Sequence, residues 1–445
     1  MSARSKASSA FNSTAFNKGL LQFLQQSPSP FHAVATMAAT LEAAGFQRLD
    51  EAHSWKLEKK RRYYVCRNDS SIVAFKTGSK DLTRHGINIA GAHTDSPCLK
   101  IKPQAEVRKQ NYLQLGVEVY GGALLHPWFD RDLSIAGRVH FQNKQGKLDS
   151  VLINLEKPVA FIPSLAIHLN REANTVGGVN AQKELPPLLL QFAAPKEGEK
   201  YRFDDFLLQQ VRKQAAGKQA ATVLSHELFL YDTQAPAMVG LEQQFIASAR
   251  LDNLLSCYLA LQALLESKDD HACVLVCNDH EEVGSASSSG AQGPFLRKVL
   301  ERWVSSQHKA ADAMDRVIHQ SLLFSIDNAH GVHPNYPEKH DDQHRPLLNA
   351  GPVIKINANQ RYASNSETVA LFKSLCEKVK VPCQSFVMRS DMACGSTIGP
   401  ITATELGIRT LDIGVPQFAM HSIRELAAAD DAAALAKVVK AFYQR

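Results

Sequence analysis

HACVLVCNDHEEVG, residues 271–284, passes from an apolar run into a polar cluster with two adjacent glutamates, Glu281 and Glu282. The run Ala272–Cys277 is short, uncharged and rich in valine, which predicts a strand buried on both faces. LDNLLSCYLALQALLES (251–267) precedes it and reads as a long amphipathic helix, while FLRKVLERWVSS (295–306) follows as another helix. SLLFSIDNA (321–329) and RTLDIGVP (409–416) repeat the buried-strand pattern. Between them SNSETVALFKSLCEKV (364–379) predicts a helix, with a capping box from Ser364 to Glu367. Strands alternating with helices predict an α/β fold, a central mixed sheet between helices.

Upstream the texture changes. Gly19–Gln25 and Phe31–Ala44 carry helical periodicity on either side of the breaker SPSP (27–30), and GINIAGAHTD (86–95) ends an apolar segment in polar residues. From about Gln104, the segments LQLGVEVYGG, LSIAGRVHFQ and SVLINL alternate at period two between polar or glycine-rich turns, as antiparallel strands do. A helix is expected around Phe206–Ala216 and a strand at HELFLYDT (226–233). The α/β alternation returns near Gly240. The expected organisation is therefore a discontinuous α/β sheet domain, 1–103 and 241–445, interrupted by a β-rich insert, 104–240.

A chain of 445 residues is long for a single core, in keeping with two domains. The net charge of +6 is spread out, Lys59–Arg62 being the only tight basic run, which argues against nucleic-acid binding. No apolar stretch is long enough to cross a bilayer. Eight cysteines without a CxxC pair suit neither a disulfide framework nor a zinc ribbon and point to a reducing compartment. The first acidic residue is Glu42, and the Ser- and Ala-rich start resembles a short transit peptide in composition. A frayed terminus is the favoured reading, because helical periodicity begins near Leu20.

In open α/β sheets the binding crevice lies beyond the carboxyl ends of the strands. Four apolar runs lead there into metal-competent residues: His93 and Asp95, then Glu281 and Glu282, then Asp327, and finally His421 after the last strand. Asp252, at the start of a long helix, is a fifth candidate. Alone, each has an ordinary explanation, such as an N-cap aspartate or a solvated loop histidine. Together they suit zinc or a similar divalent ion. The supply exceeds what one catalytic zinc needs, so two ions sharing a carboxylate fit better. The glutamate pair then divides the labour, one binding metal and its neighbour taking a proton from water. HExxH fails at Gly284, and neither G-x-S-x-G nor a P-loop occurs. His330, His333, His340 and His344 could form another metal cluster, but their loop-like surroundings argue against a ligand role for all four.

These motifs resemble those of the aspartyl aminopeptidases, a family of dinuclear zinc exopeptidases. The resemblance runs through SPSPFHAV, AGAHTDSPCLKIKP, LHPWFDRDLSIAGRV, SARLDN, DHEEVGSASSSGA, SIDNAHGVHPNYPEKHD, INANQRYASN, RSDMACGSTIGP and MHSIRE. It implies a peptidase domain with an inserted β-rich dimerisation or lid domain, and assembly into a dodecamer built from dimers. It also implies that His93, Asp252 and Asp327 hold one ion and that Glu282 and His421 hold a second, with Asp252 bridging. Glu281 would be the general base, and Asp95 would orient His93. His168 would reach substrate from a neighbouring subunit, and His330, Lys355 and Tyr362 would make further substrate contacts.

The activity so implied is release of an unblocked N-terminal Asp or Glu from peptides in the cytoplasm, without nucleic acid or membrane partners. An acidic preference needs a cation, because burying an unpaired carboxylate is costly, and Lys355 is the first candidate. A di-metal aminopeptidase for neutral residues and a non-catalytic scaffold of the same fold are the alternatives.

Overall fold

Val, Ile, Phe and Cys fill the strand interiors, and their burial on both faces forces helices above and below. The computed structural model describes residues 13–175, 177–192 and 201–445. Its central nine-stranded sheet has four parallel strands side by side: Ala272–Asn278, Asn88–His93, Leu322–Ile326 and Arg409–Gly414. Ser71–Thr77 and Val353–Ile356 flank them antiparallel, which makes the sheet mixed. Helices Ser13–Gln26, Pro30–Ala43, Leu251–Glu266, Ser366–Val379 and Asp431–Tyr443 feed one core, where Phe324 stacks on Phe442. Phe295–Gln307 and Ala313–Gln320 build the second, around Trp303 and Phe75. The chain thus has the α/β class expected.

A separate six-stranded antiparallel sheet runs in the order Leu148–Asn154, Leu133–Asn143, Ala220–Asp232, Cys98–Lys109, Tyr112–Tyr120, Leu188–Gln191. Helix Phe203–Gln214 packs on its core through Phe203, Leu207 and Val211. Position 104 lies inside the strand Cys98–Lys109, which belongs wholly to this layer and shifts register between Ile101 and Glu106. A third sheet, of five short strands, includes Phe245–Ser248, Glu425–Ala428, Pro416–Phe418 and Ala329–His330.

Several local expectations change. The breaker SPSP becomes a helix start, with Ser29 as N-cap and Pro30 at the first helical position. The first helix begins at Ser13; residues 1–12 of the acid-free segment lie outside the described residues. The capping box belongs to Asn365 and Thr368 instead of Ser364 and Glu367. Ser364 is used elsewhere, its hydroxyl accepting the Asp412 amide at 3.0 Å. Helix Leu251–Glu266 is buried almost all round, not amphipathic, because it sits in the middle of the larger core. Arg409–Gly414 is not the last strand: Pro416–Phe418 and Glu425–Ala428 follow, and His421 lies in the turn between them. No helix among the described residues is long and apolar enough to cross a membrane.

Candidate metal centre

The carboxyl ends of the parallel strands converge as the topology requires. His93 closes Asn88–His93, Asp327 follows Leu322–Ile326, and Glu281 and Glu282 sit on a short turn beyond Ala272–Asn278. Asp252 enters from the first turn of its helix, where its own backbone is non-helical (φ −81, ψ 106). His421 comes from the turn of the third sheet with φ 68, and His280, before the glutamates, has φ 64. Left-handed backbone at two non-glycine residues beside one cluster is unusual and typical of functional sites.

Distances tie these side chains together. His93 Nε2 lies 3.4 Å from Asp252 Oδ1 and 3.6 Å from Asp327 Oδ1. His421 Nε2 lies 3.5 Å from Asp252 Oδ2 and 3.3 Å from Glu282 Oε2. The two oxygens of Asp252 therefore face two histidines from different elements. A zinc ion about 2.05 Å from nitrogen and about 2.1 Å from oxygen, at the tetrahedral angle, would set those atoms about 3.4 Å apart. Asp252 Oδ1 and Glu282 Oε1 are buried without a hydrogen-bond partner. His93, Asp252 and Glu282 form the one group among the described residues whose ligand atoms all lie within 4.8 Å of one another. Donor set, spacing and orphaned oxygens fit zinc.

Charge points the same way. Burial and the surrounding carboxylates, Asp327, Asp95 and Asp252, push the Glu281 carboxyl up to about 7 against the opposing pull of His93. Burial and Asp252 push Glu282 well above the usual carboxylate range. Such crowding of acids away from water is expensive unless cations neutralise it.

The surrounding bonds set orientation. His93 Nδ1 donates to the Asp95 carbonyl at 3.0 Å, and His421 Nδ1 donates to the Gly122 carbonyl at 3.1 Å, which leaves each Nε2 lone pair for a ligand. The Asp95 carboxylate does more than sit near His93 Nδ1 (3.4 Å). It also accepts the Glu281 amide (3.1 Å), the Glu282 amide (3.1 Å) and the Tyr120 hydroxyl (2.7 Å). Tyr120 and Gly122 stand where the six-stranded layer reaches the centre. A Cβ on Gly121 (φ +69) would come within 3.1 Å of Glu282 Cβ, so the chain passes too close for a side chain there.

The expected substrate residues divide. Lys355 is 2 % exposed, and its Nζ donates to Asp327 Oδ2 (3.1 Å) and to the Asn328 carbonyl (3.2 Å) while lying 5.1 Å over the Tyr362 ring. His330 packs edge-on against Phe386, and with His333 and His340 it lines a 270 Å³ cavity also walled by Met388, Met392 and Phe418. His344 turns away to Asp341 at 2.6 Å, so the four histidines of that loop do not gather around one point. His168 lies exposed on the turn at 167–169, and no hydrogen bond or ion pair among the described residues joins it to the cluster.

Sequence reasoning missed Tyr120, Gly122 and Glu425. Glu425 is 2 % exposed and accepts the amides of Asp252 (3.0 Å) and His421 (2.8 Å). Only the glycine pair closing LQLGVEVYGG hinted at a close approach; a buried glutamate opening a strand carries no local signature.

The family model for aminopeptidase I zinc metalloproteases (M18) matches residues 23–443. The chain is 60% identical over 429 residues to the probable M18 family aminopeptidase 2 of Pseudomonas fluorescens strain SBW25, covering 96% of this chain and 98% of that protein. It resembles the cryo-EM structure of the Ape4 and Nbr1 complex with a TM-score of 0.92 at 37% identity, over 97% of this chain and 86% of that one. The S. cerevisiae mApe1 dodecamer superposes with a TM-score of 0.82 at 27% identity, over 97% of this chain and 96% of that one.

Proposed function

Since the chain belongs to the M18 family of zinc metallo-aminopeptidases, we propose that it releases unblocked N-terminal Asp or Glu from peptides, using a pair of zinc ions. One observation carries the two-ion reading: the oxygens of Asp252 face His93 at 3.4 Å and His421 at 3.5 Å. His93, Asp252 and Asp327 would hold one ion, and Asp252, Glu282 and His421 the other. Bound there, the ions would supply the Lewis acidity that lets water lose a proton near neutral pH. Glu281 accepts that proton at its carboxylate and returns it to the departing amine nitrogen. Asp95 fixes the Glu281 and Glu282 amides and lies against His93, so base and ligands keep one relative geometry.

The acidic preference is supported by Lys355. An ammonium has three N–H donors, and Asp327 and Asn328 engage two of them, which leaves one for a substrate carboxylate. Tyr362 and His330 complete that side. The cavity of Phe386, Met388, Met392 and Phe418 beside His330 favours the competing reading, a preference for neutral side chains.

His168 is assigned to substrate from a neighbouring subunit. Ile167 and Leu169 on its turn and Leu165 just before it are 48%, 76% and 60% exposed, more apolar surface than an isolated subunit keeps without reason. Residues 104–240 are taken as the dimerisation insert of a dodecamer, the assembly named for S. cerevisiae mApe1. A cytoplasmic location is supported by eight free thiols.

A panel of amino-acid amides, with and without EDTA, tests these points together. Asp and Glu amides should exceed Leu amide in kcat/KM by about tenfold or more, and EDTA should abolish turnover until zinc returns. Lys355→Ala should erase the acidic advantage. A preference for Leu would move the reading to neutral residues, and indifference to EDTA would remove the metal.

A further inference from the structure

Glu425 opens the strand Glu425–Ala428 and lies 2 % exposed behind the centre. Oε2 accepts the Asp252 amide at 3.0 Å, and Oε1 accepts the His421 amide at 2.8 Å. Gln417 Nε2 approaches Oε1 at 3.5 Å, and the Gln417 Oε1 accepts from Asn328 Nδ2 at 2.8 Å. Asn328 Nδ2 also donates to the Leu251 carbonyl at 2.9 Å, and its Oδ1 accepts from Ser256 Oγ at 3.2 Å. One buried polar network thus joins the segments that carry Asp252, Asp327 and His421.

Both amides need this partner. Asp252 lies at the non-helical start of its helix and His421 in a left-handed turn, so neither N–H has a place in a regular ladder. Each would otherwise be a donor left without an acceptor. A carboxylate offers two oxygens a fixed distance apart, so binding both amides also fixes the spacing of the two backbones. The side chains on those backbones face each other at 3.5 Å. We infer that Glu425 is a positioning residue that sets the separation of Asp252 and His421, and thereby the strength with which the centre holds zinc. The inference rests on the two-zinc reading above. Glu425 touches no reacting atom, and a glutamine in its place would keep the volume and one acceptor while turning a donor towards the second amide.

The test compares wild type and Glu425→Gln by equilibrium dialysis against graded zinc buffers, reading zinc per subunit. The variant should need about ten- to hundredfold more free zinc for half-filling, with KM for Asp amide unchanged once zinc is saturating. A merely structural role would lower the melting point of the metal-free protein and leave zinc affinity alone. Two ions in wild type with equal affinity in the variant overturn the inference and leave the two-zinc reading standing. Fewer than two ions in wild type remove both. Should the variant fail to fold, hydrogen exchange of metal-free wild type decides: slow exchange at the Asp252 and His421 amides supports the clamp, and loop-like exchange overturns it.

Discussion

Asp95→Asn removes one oxygen from a carboxylate that serves four groups. Placed at Oδ1, the new amide nitrogen would confront the Glu281 N–H and His93 Nδ1. Placed at Oδ2, it would confront the Glu282 N–H and the Tyr120 hydroxyl, and that hydroxyl can rotate to accept. The second orientation is therefore preferred and costs one buried amide, about 1–3 kcal/mol. If about 2 kcal/mol of this is expressed at the centre, kcat/KM for Asp amide falls about thirtyfold at saturating zinc. Tyr120→Phe alone should cost less, about 1.5 kcal/mol for a hydrogen bond to a charged group. In the double variant the rotated hydroxyl is missing, so the two losses should add to more than their sum. The assay is steady-state hydrolysis of Asp amide by the four proteins, with zinc content measured in parallel. An Asp95→Asn rate within about twofold of wild type, at equal zinc content, would refute the assigned role of Asp95.

Further outcomes follow from other parts of the molecule. Glu281→Gln should retain zinc, measured per subunit, and lose turnover by about 10²–10⁴-fold; near-normal turnover would exclude it as the base. His168→Ala should be as inactive as Glu281→Gln alone, yet mixed oligomers of the two variants should regain activity if the histidine acts across subunits. His32 is held well below its ordinary value, at about 4, by burial and by the Arg250 charge. Its folded form binds fewer protons than the unfolded chain between about pH 4 and about pH 6.5, so stability is intact above that window and falls as pH falls through it. Between pH 7 and pH 5 the loss from this residue is up to about 2 kcal/mol, and urea unfolding of metal-free His32→Gln should lack that part.

How much was legible depended on whether the signal was local. An uncharged run such as Ala272–Cys277 has one stable place, inside a covered sheet, and polar residues directly after it fall at the crevice; His93, Glu281, Glu282 and Asp327 were readable on that ground. Asp252 was harder, because an aspartate at a helix start is ordinarily a cap, and its helix has no polar face to orient it. The capping box was misplaced by one residue because Ser364 and Asn365 are both competent caps, and only the pairing of Ser364 with Asp412 separates them. The engagement of Lys355 with Asp327 joins residues 28 apart, one on the strand Val353–Ile356 and one just past Leu322–Ile326, with Arg409–Gly414 between those strands. Glu425 answers to an amide 173 residues away. Such pairings are consequences of topology, which no window of sequence contains.

The bond that aims His421 comes from the carbonyl of Gly122, so no side-chain truncation can delete it. The main-chain oxygen survives replacement of its neighbours, and the strand Tyr112–Tyr120 can drift in composition while the imidazole keeps its bearing. What the arrangement does not tolerate is bulk, since a methyl group on Gly122 would stand 3.3 Å from Nδ1 of that ring. Mutational damage along this edge should consequently be abrupt, concentrated at Tyr120, which bonds Asp95, and at Gly121 and Gly122, where an added side chain meets Glu282 or His421.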